Sequence, residues 1–299
     1  SSPVAFNWSI GLHHLMALWG SFALARHLGR SSTAALCSAV AYGFSGFFVS
    51  HLVYLGFFQV MAWFPWMVTA ALQAARYGGG WWPALALSTG MAWLCGHPQG
   101  AYLATLAVLF VLAWQGYRVR KTRKWTPVLG GLLALGIAAG LSMPQWLATA
   151  ELVSEGVRAE GLNSDDAALG SLPPEELINA VFPRTFGYER PIDIPVVYEH
   201  RGEGYVGRGV SYWETCFYIG VPTFFMLLVA GGSRGTWMWW SLFAAGLVLM
   251  LGVNTPLYGI IREIPGMSYF RFPVRGAMWV SLAAAMLAGR GIDRMTERS

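Results

Sequence analysis

The sequence predicts an all-α protein, a polytopic transmembrane helical bundle of about nine spans. A polar extracytoplasmic segment, residues 151–212, is inserted between spans six and seven of what reads as a single transmembrane domain, residues 1–299. Three observations carry this. The chain is 55% hydrophobic and only 12% charged, where soluble domains carry about 25% charged residues. Apolar runs of roughly 18 residues or more recur along it, the length a helix needs to cross a bilayer, and the short alternating segments of a transmembrane barrel are absent. The acidic residues are segregated: none precedes Glu151, after which Glu151, Glu155, Glu160, Asp165, Asp166, Glu175 and Glu176 arrive together, with Glu189, Asp193, Glu199, Glu203 and Glu214 beyond. Carboxylates are costly in hydrocarbon, so that segment belongs in water or at a polar interface.

The spans follow in order. The first covers about Trp8–Leu28 and ends at Arg26 and Arg30; Ser31-Ser32 is a helix start signal for the second, about Thr33–Ser50. A turn at His51–Phe58 leads to the third, about Gln59–Arg76, which carries Pro65 and ends at the breaker Gly78-Gly79-Gly80. The fourth, about Trp81–Cys95, is short for a span and turns at Gly96-His97-Pro98-Gln99-Gly100. The fifth, about Ala101–Tyr117, stops at the basic cluster Arg118–Lys124, and the sixth runs about Pro127–Ala150. Beyond the polar segment, the seventh is about Trp213–Ala230, the eighth about Thr236–Leu251, and the ninth about Val274–Ala288 after a semi-polar loop.

Charge orients the bundle. Short-loop Lys and Arg lie on the cytoplasmic side. Numbered alternately, one class of loops holds Arg26, Arg30, Arg76, the Arg118–Lys124 cluster, Arg234, Arg290, Arg294 and Arg298, and only Asp293 and Glu297 among the acids. The expectation is therefore a multi-pass protein of the cell (inner) membrane, with the Ser1 side outside and the C-terminus cytoplasmic. Trp63, Trp66, Trp81, Trp82, Trp213 and Trp237 fall near predicted helix ends, as interfacial anchors do. The net charge of +5 resides in topology-setting loops and does not point to nucleic acid. Cys37, Cys95 and Cys216 have no metal or redox spacing. They read as small apolar fillers, with a Cys95–Cys216 bridge left open.

The outer loops carry more polar residues than connectors need. Glu151 and Glu155 share a helix face that Arg158 continues, a set suited to orienting a hydroxyl; an ordinary solvated helix end is the alternative. Glu214 stands where a span enters the bilayer, a candidate catalytic carboxylate with Glu151. His51, and His97 with Gln99 between two glycines, are candidate binding residues or simply helix caps. Arg271 and Arg275 sit four apart around Pro273 on the outer side, against positive-inside statistics. They suit a phosphate or diphosphate, unless outer carboxylates pair with them. No P-loop, dinucleotide or zinc motif occurs. No cofactor is specified, and a divalent cation, Mg or Mn, on the outer carboxylates stays open.

Together these residues resemble the bacterial YfhO-like membrane proteins of the GT-C glycosyltransferase superfamily. The matching pieces run through nearly the whole chain: Ala41-Tyr42-Gly43-Phe44-Ser45-Gly46-Phe47, Met61-Ala62-Trp63-Phe64-Pro65-Trp66, Gly96-His97-Pro98-Gln99, Ser171-Leu172-Pro173-Pro174-Glu175, Tyr218-Ile219-Gly220-Val221-Pro222, Asn254-Thr255-Pro256-Leu257-Tyr258 and Phe270-Arg271-Phe272-Pro273-Val274-Arg275. The resemblance implies a GT-C-like bundle that takes a sugar from a polyprenyl-phosphate donor on the outer face and passes it to a cell-envelope polymer. Its partners would be membrane lipid, the lipid-linked donor and that acceptor. It also implies a further span and first outer loop ahead of Ser1, where the superfamily's usual acidic base lies. Without that loop the base is a later carboxylate, or the copy is inactive. The competing expectations are a transporter or flippase for a lipid-linked substrate, and a non-catalytic membrane assembly subunit.

Overall fold

The computed structural model describes residues 2–119, 126–156, 161–162, 167–183, 185, 212–233 and 235–297. Among them every regular element is helical. The main helices are α1 (Pro3–His27), α2 (Ser32–Gly43), α3 (Gly46–Ser50), α4 (Leu55–Tyr77), α5 (Trp81–Leu94), α6 (Pro98–Val119), α7 (Thr126–Leu141), α8 (Met143–Ser154), α9 (Tyr212–Thr215), α10 (Val221–Ala230), α11 (Trp237–Leu251), α12 (Tyr258–Arg262) and α13 (Ala277–Thr296). Among the described residues three helices, α4, α6 and α11 with its short continuation, are long and apolar enough to cross a membrane; counting the bent pairs α2–α3 and α7–α8 as one span each gives up to five.

Two helices organise the packing. Helix α4 is buried along most of its length and packs against α1, α5, α6 and α7. Helix α13 is buried likewise and packs against α2, α10 and α11. A helix apolar on all sides belongs inside a bundle rather than at its edge. Pro65 shows how α4 tolerates an imide within its run. Proline has no N–H for the carbonyl four residues back. That carbonyl, on Met61, instead accepts a 2.7 Å hydrogen bond from the Tyr42 hydroxyl of α2, so the buried acceptor is satisfied and the two helices are tied.

The helices at the predicted second, sixth and seventh spans are broken or start elsewhere. The second breaks at Phe44-Ser45 with a 42° bend. Ser45 caps α3, and the Gly46 amide is used by the Tyr218 carbonyl at 2.6 Å rather than by its own helix. The sixth breaks by 71° at Ser142. Pro144 lies in the first turn of α8 and cannot continue the ladder of α7. The seventh begins at Val221 rather than Trp213, because Gly220, at φ 92°, caps it and Pro222 occupies its first turn. No disulfide joins Cys95 and Cys216.

The chain shuttles between two ends. At one, Asp293 accepts from the Ser31 amide and lies 3.8 Å from Arg30, while Arg294 donates to the Ala230 carbonyl. The turns at the other end bring His51, His97, Glu214 and Arg275 together.

Candidate functional site

The site is built on four turns. The α3 exit presents His51, whose Nδ1 donates to the Phe47 carbonyl at 2.8 Å. The α5–α6 turn swings at Gly96, with φ 74°, and His97 then caps α6 by accepting from the Gly100 amide at 3.0 Å. Gly100 is required there: a Cβ would stand 2.6 Å from the Phe57 ring. Helix α9 supplies Glu214, and the short turn Pro273–Gly276 supplies Arg275.

Arg275 is the hub. It is buried at 6% exposure, and its guanidinium forks onto Glu214, Nε to Oε2 at 3.0 Å and Nη2 to Oε1. Its Nη1 donates to Gln99 Oε1 at 2.7 Å and lies 3.2 Å from His97 Nε2. The rings of Phe57 and Phe272 stand 5.4 and 5.0 Å from its centre, within cation–π range. His51 Nε2 is 3.5 Å from Glu214 Oε2, close enough for electrostatic contact but without hydrogen-bond geometry. Burial alone would raise the Glu214 pKa; His51 and Arg275 outweigh it and hold it down at about 2. Burial, reinforced by Arg275, pushes His97 down to about 3 and keeps it neutral.

Beside this cluster opens a cleft of about 740 Å³. Its walls are Tyr54, the Gly96–Gln99 turn, the Tyr269–Phe272 segment with Arg275, one face of α8 formed by Gln145, Thr149, Leu152 and Val153, and Gly156 just beyond that helix. Arg271 lines it half-buried. Its guanidinium lies 5.8 Å from the Phe272 ring, and no carboxylate pairs with it among the described residues.

The expected site residues thus divide. His51, His97, Gln99, Glu214 and Arg275 come together in one buried cluster, and Arg271, Arg275, His97 and Gln99 line the cleft. Glu151 and Glu155 do not join them. Both are exposed at the end of α8, and at 100° per residue they lie off the face that carries Gln145, Thr149 and Leu152. The helix also ends at Ser154, before the shared face can extend to Arg158, which lies outside the described residues. Arg275 engages both oxygens of Glu214 and also donates to Gln99, so these candidates are paired with one another, the carboxylate pairing that the sequence had left open for Arg275. Tyr54 and Thr149 were missed; Tyr54 shares a turn with His51, and Thr149 follows Gln145 by one helical turn. No group of three or more His, Cys, Asp or Glu residues placed to hold a metal ion occurs among the described residues.

Comparison with family models, curated proteins and solved structures returns no match.

Proposed function

We propose that the chain is a membrane glycosyltransferase of GT-C type, using a polyprenyl-phosphate sugar donor and a cell-envelope acceptor on the outer face. In this reading nine spans cross the inner membrane, the Ser1 side is outside, and the cleft beside Arg271 receives the donor's phosphate. The observation that supports it most is the Arg271 guanidinium, set in an open cleft with no carboxylate partner among the described residues. The aromatic and aliphatic walls suit the first isoprene units, while Gln145 and Thr149 suit sugar hydroxyls. The phosphate of such a donor must stop at the membrane surface, because its tail stays in hydrocarbon while its sugar needs water; a guanidinium is cheap to hold at that depth. The resemblance over Gly96–Gln99 and Phe270–Arg275 falls on the cleft walls.

The test is reconstitution in vesicles with a sugar-labelled polyprenyl-phosphate donor. Label should pass to an acceptor at the face bearing the cleft, and Arg271→Ala should weaken donor use. A second reading, a flippase for the intact lipid, is favoured by one observation: helix pairs α2–α3 and α7–α8 are broken, as transporter helices are around their sites. Intact lipid crossing the bilayer with no sugar transfer would select that reading over the first.

A further inference from the structure

Arg271 and Arg275 are four residues apart and both line the cleft, but only Arg275 is also locked into the buried cluster by Glu214 and Gln99. Phe272 separates them. Its backbone lies at φ 61°, ψ 64°, and it is the one non-glycine residue with positive φ among those described. A bulky side chain is strained in the left-handed region, and the proline that follows biases Phe272 further toward extended backbone. Such a conformation persists only where its surroundings over-determine it.

The surroundings do so from three sides. The Phe272 amide donates to the Leu169 carbonyl at 2.8 Å, and its carbonyl accepts from the Arg275 amide at 3.1 Å. Its ring packs on Gly170, where a Cβ would collide with it. The third constraint is Gln99, which is 7% exposed. Its Nε2 donates to the Arg271 carbonyl and, at 3.3 Å, to the Phe272 carbonyl. Its Oε1 accepts from Arg275. One amide therefore grips both carbonyls of the strained step and is itself oriented by an arginine that Glu214 anchors.

We propose that Gln99 is a positioning residue: it fixes the Arg271–Phe272 backbone so that the Arg271 guanidinium stays in the cleft, with the Arg275–Glu214 pair as its anchor. The inference rests on the reading of the cleft as a phosphate site. Without the Gln99 amide, the Phe272 step relaxes toward extended backbone and carries Arg271 away from the cleft.

The test uses the full chain in detergent, with farnesyl monophosphate as the probe, titrated calorimetrically. Gln99→Ala and Gln99→Met are made alone and together with Arg271→Ala; methionine keeps the length and loses every hydrogen bond, guarding against collapse of the alanine variant. Each Gln99 variant should weaken probe binding about tenfold. In the Arg271→Ala background the same change should cost less than about twofold, because a residue acting through Arg271 has nothing left to position. An equal loss in both backgrounds overturns the proposal. Hydrogen exchange supplies a readout that needs no probe. The amides of residues 270–272, 274 and 275 should exchange faster in both Gln99 variants and not in Arg271→Ala, and unchanged exchange also overturns it. If the probe does not bind, or binds equally without Arg271, the phosphate reading fails, while the exchange result still decides the role of Gln99.

Discussion

Arg275 grips both carboxylate oxygens of Glu214 from 61 residues away in the chain, and both side chains are more than nine-tenths buried. The pair ties α9 to the segment that leads into α13. Removing one member of a buried pair leaves a charge without compensation, at a cost of about 3–5 kcal/mol, whereas replacing both by apolar groups of similar volume is often close to neutral. Glu214→Ala should therefore destabilise by about that amount, and Glu214→Leu with Arg275→Met should recover most of it. Unfolding titrated with SDS in mixed micelles measures this. A double variant as unstable as the single one would show that the pair is not what stabilises this end.

The two arginines should separate by phenotype. Arg271→Ala should leave the unfolding midpoint unchanged and weaken a prenyl-phosphate ligand by roughly 10- to 150-fold, the loss of a charge-assisted hydrogen bond. Arg271→Lys should restore part of it, keeping the charge and losing the fork. Arg275→Ala should lower stability first. Unchanged binding in Arg271→Ala would remove the cation from the argument.

Much of the fold was legible, and the reasons are local. Apolar runs and breakers placed the helices, since a span announces itself over twenty consecutive residues. Gly96–Gln99 and Phe270–Arg275 stood out as polar residues that connectors do not need. What remained hidden was partner choice. Nothing near Glu214 or Arg275 in the sequence says that each takes the other, so Arg275 stayed open between a phosphate and some outer carboxylate. The α7–α8 break had its signal in Pro144, which a run of apolar residues on both sides masked. Glu151 and Glu155 are charged and stand out in the sequence, while the side of α8 that lines the cleft carries the uncharged Gln145 and Thr149. Phe272 had no signal at all: a residue before proline reads as extended.

Acid should loosen this end of the bundle in two stages. The folded-state pKa of His97 is pushed from 6.5 to about 3. Between those values the unfolded chain binds a proton that the folded one refuses, so stability is full above pH 6.5 and falls as pH drops toward about 3. Glu214, lowered from 4.5 to about 2, adds a second loss between those two values. His97→Asn, whose Oδ1 can still accept from the Gly100 amide, should flatten the unfolding midpoint between pH 6.5 and 4.5 and leave the lower stage. A profile that keeps its upper slope without His97 would assign that slope elsewhere.

Glycines should differ by location. A Cβ on Gly291 would land on the Met226 carbonyl of α10, whereas one on Gly11 meets nothing within 4 Å. Close helix approach in membranes depends on such small residues. Gly291→Ala should cost about 1–3 kcal/mol or more by forcing α10 from α13. Gly11→Ala, mid-helix in α1, should gain about 0.5–1 kcal/mol. The same SDS titration reads both, and equal midpoints for the two variants would contradict the α10–α13 packing.

The bend between α7 and α8 lays Trp146 on Trp93 of α5, ring centres 4.1 Å apart and planes 31° apart, with the Trp93 indole N–H fixed to Thr105. Two indoles at that distance share their excited states. Because Trp146 rides on the helix that walls the cleft, any swing of α8 alters the near-ultraviolet circular dichroism of the pair, and the molecule carries an optical gauge of its own cleft without a dye.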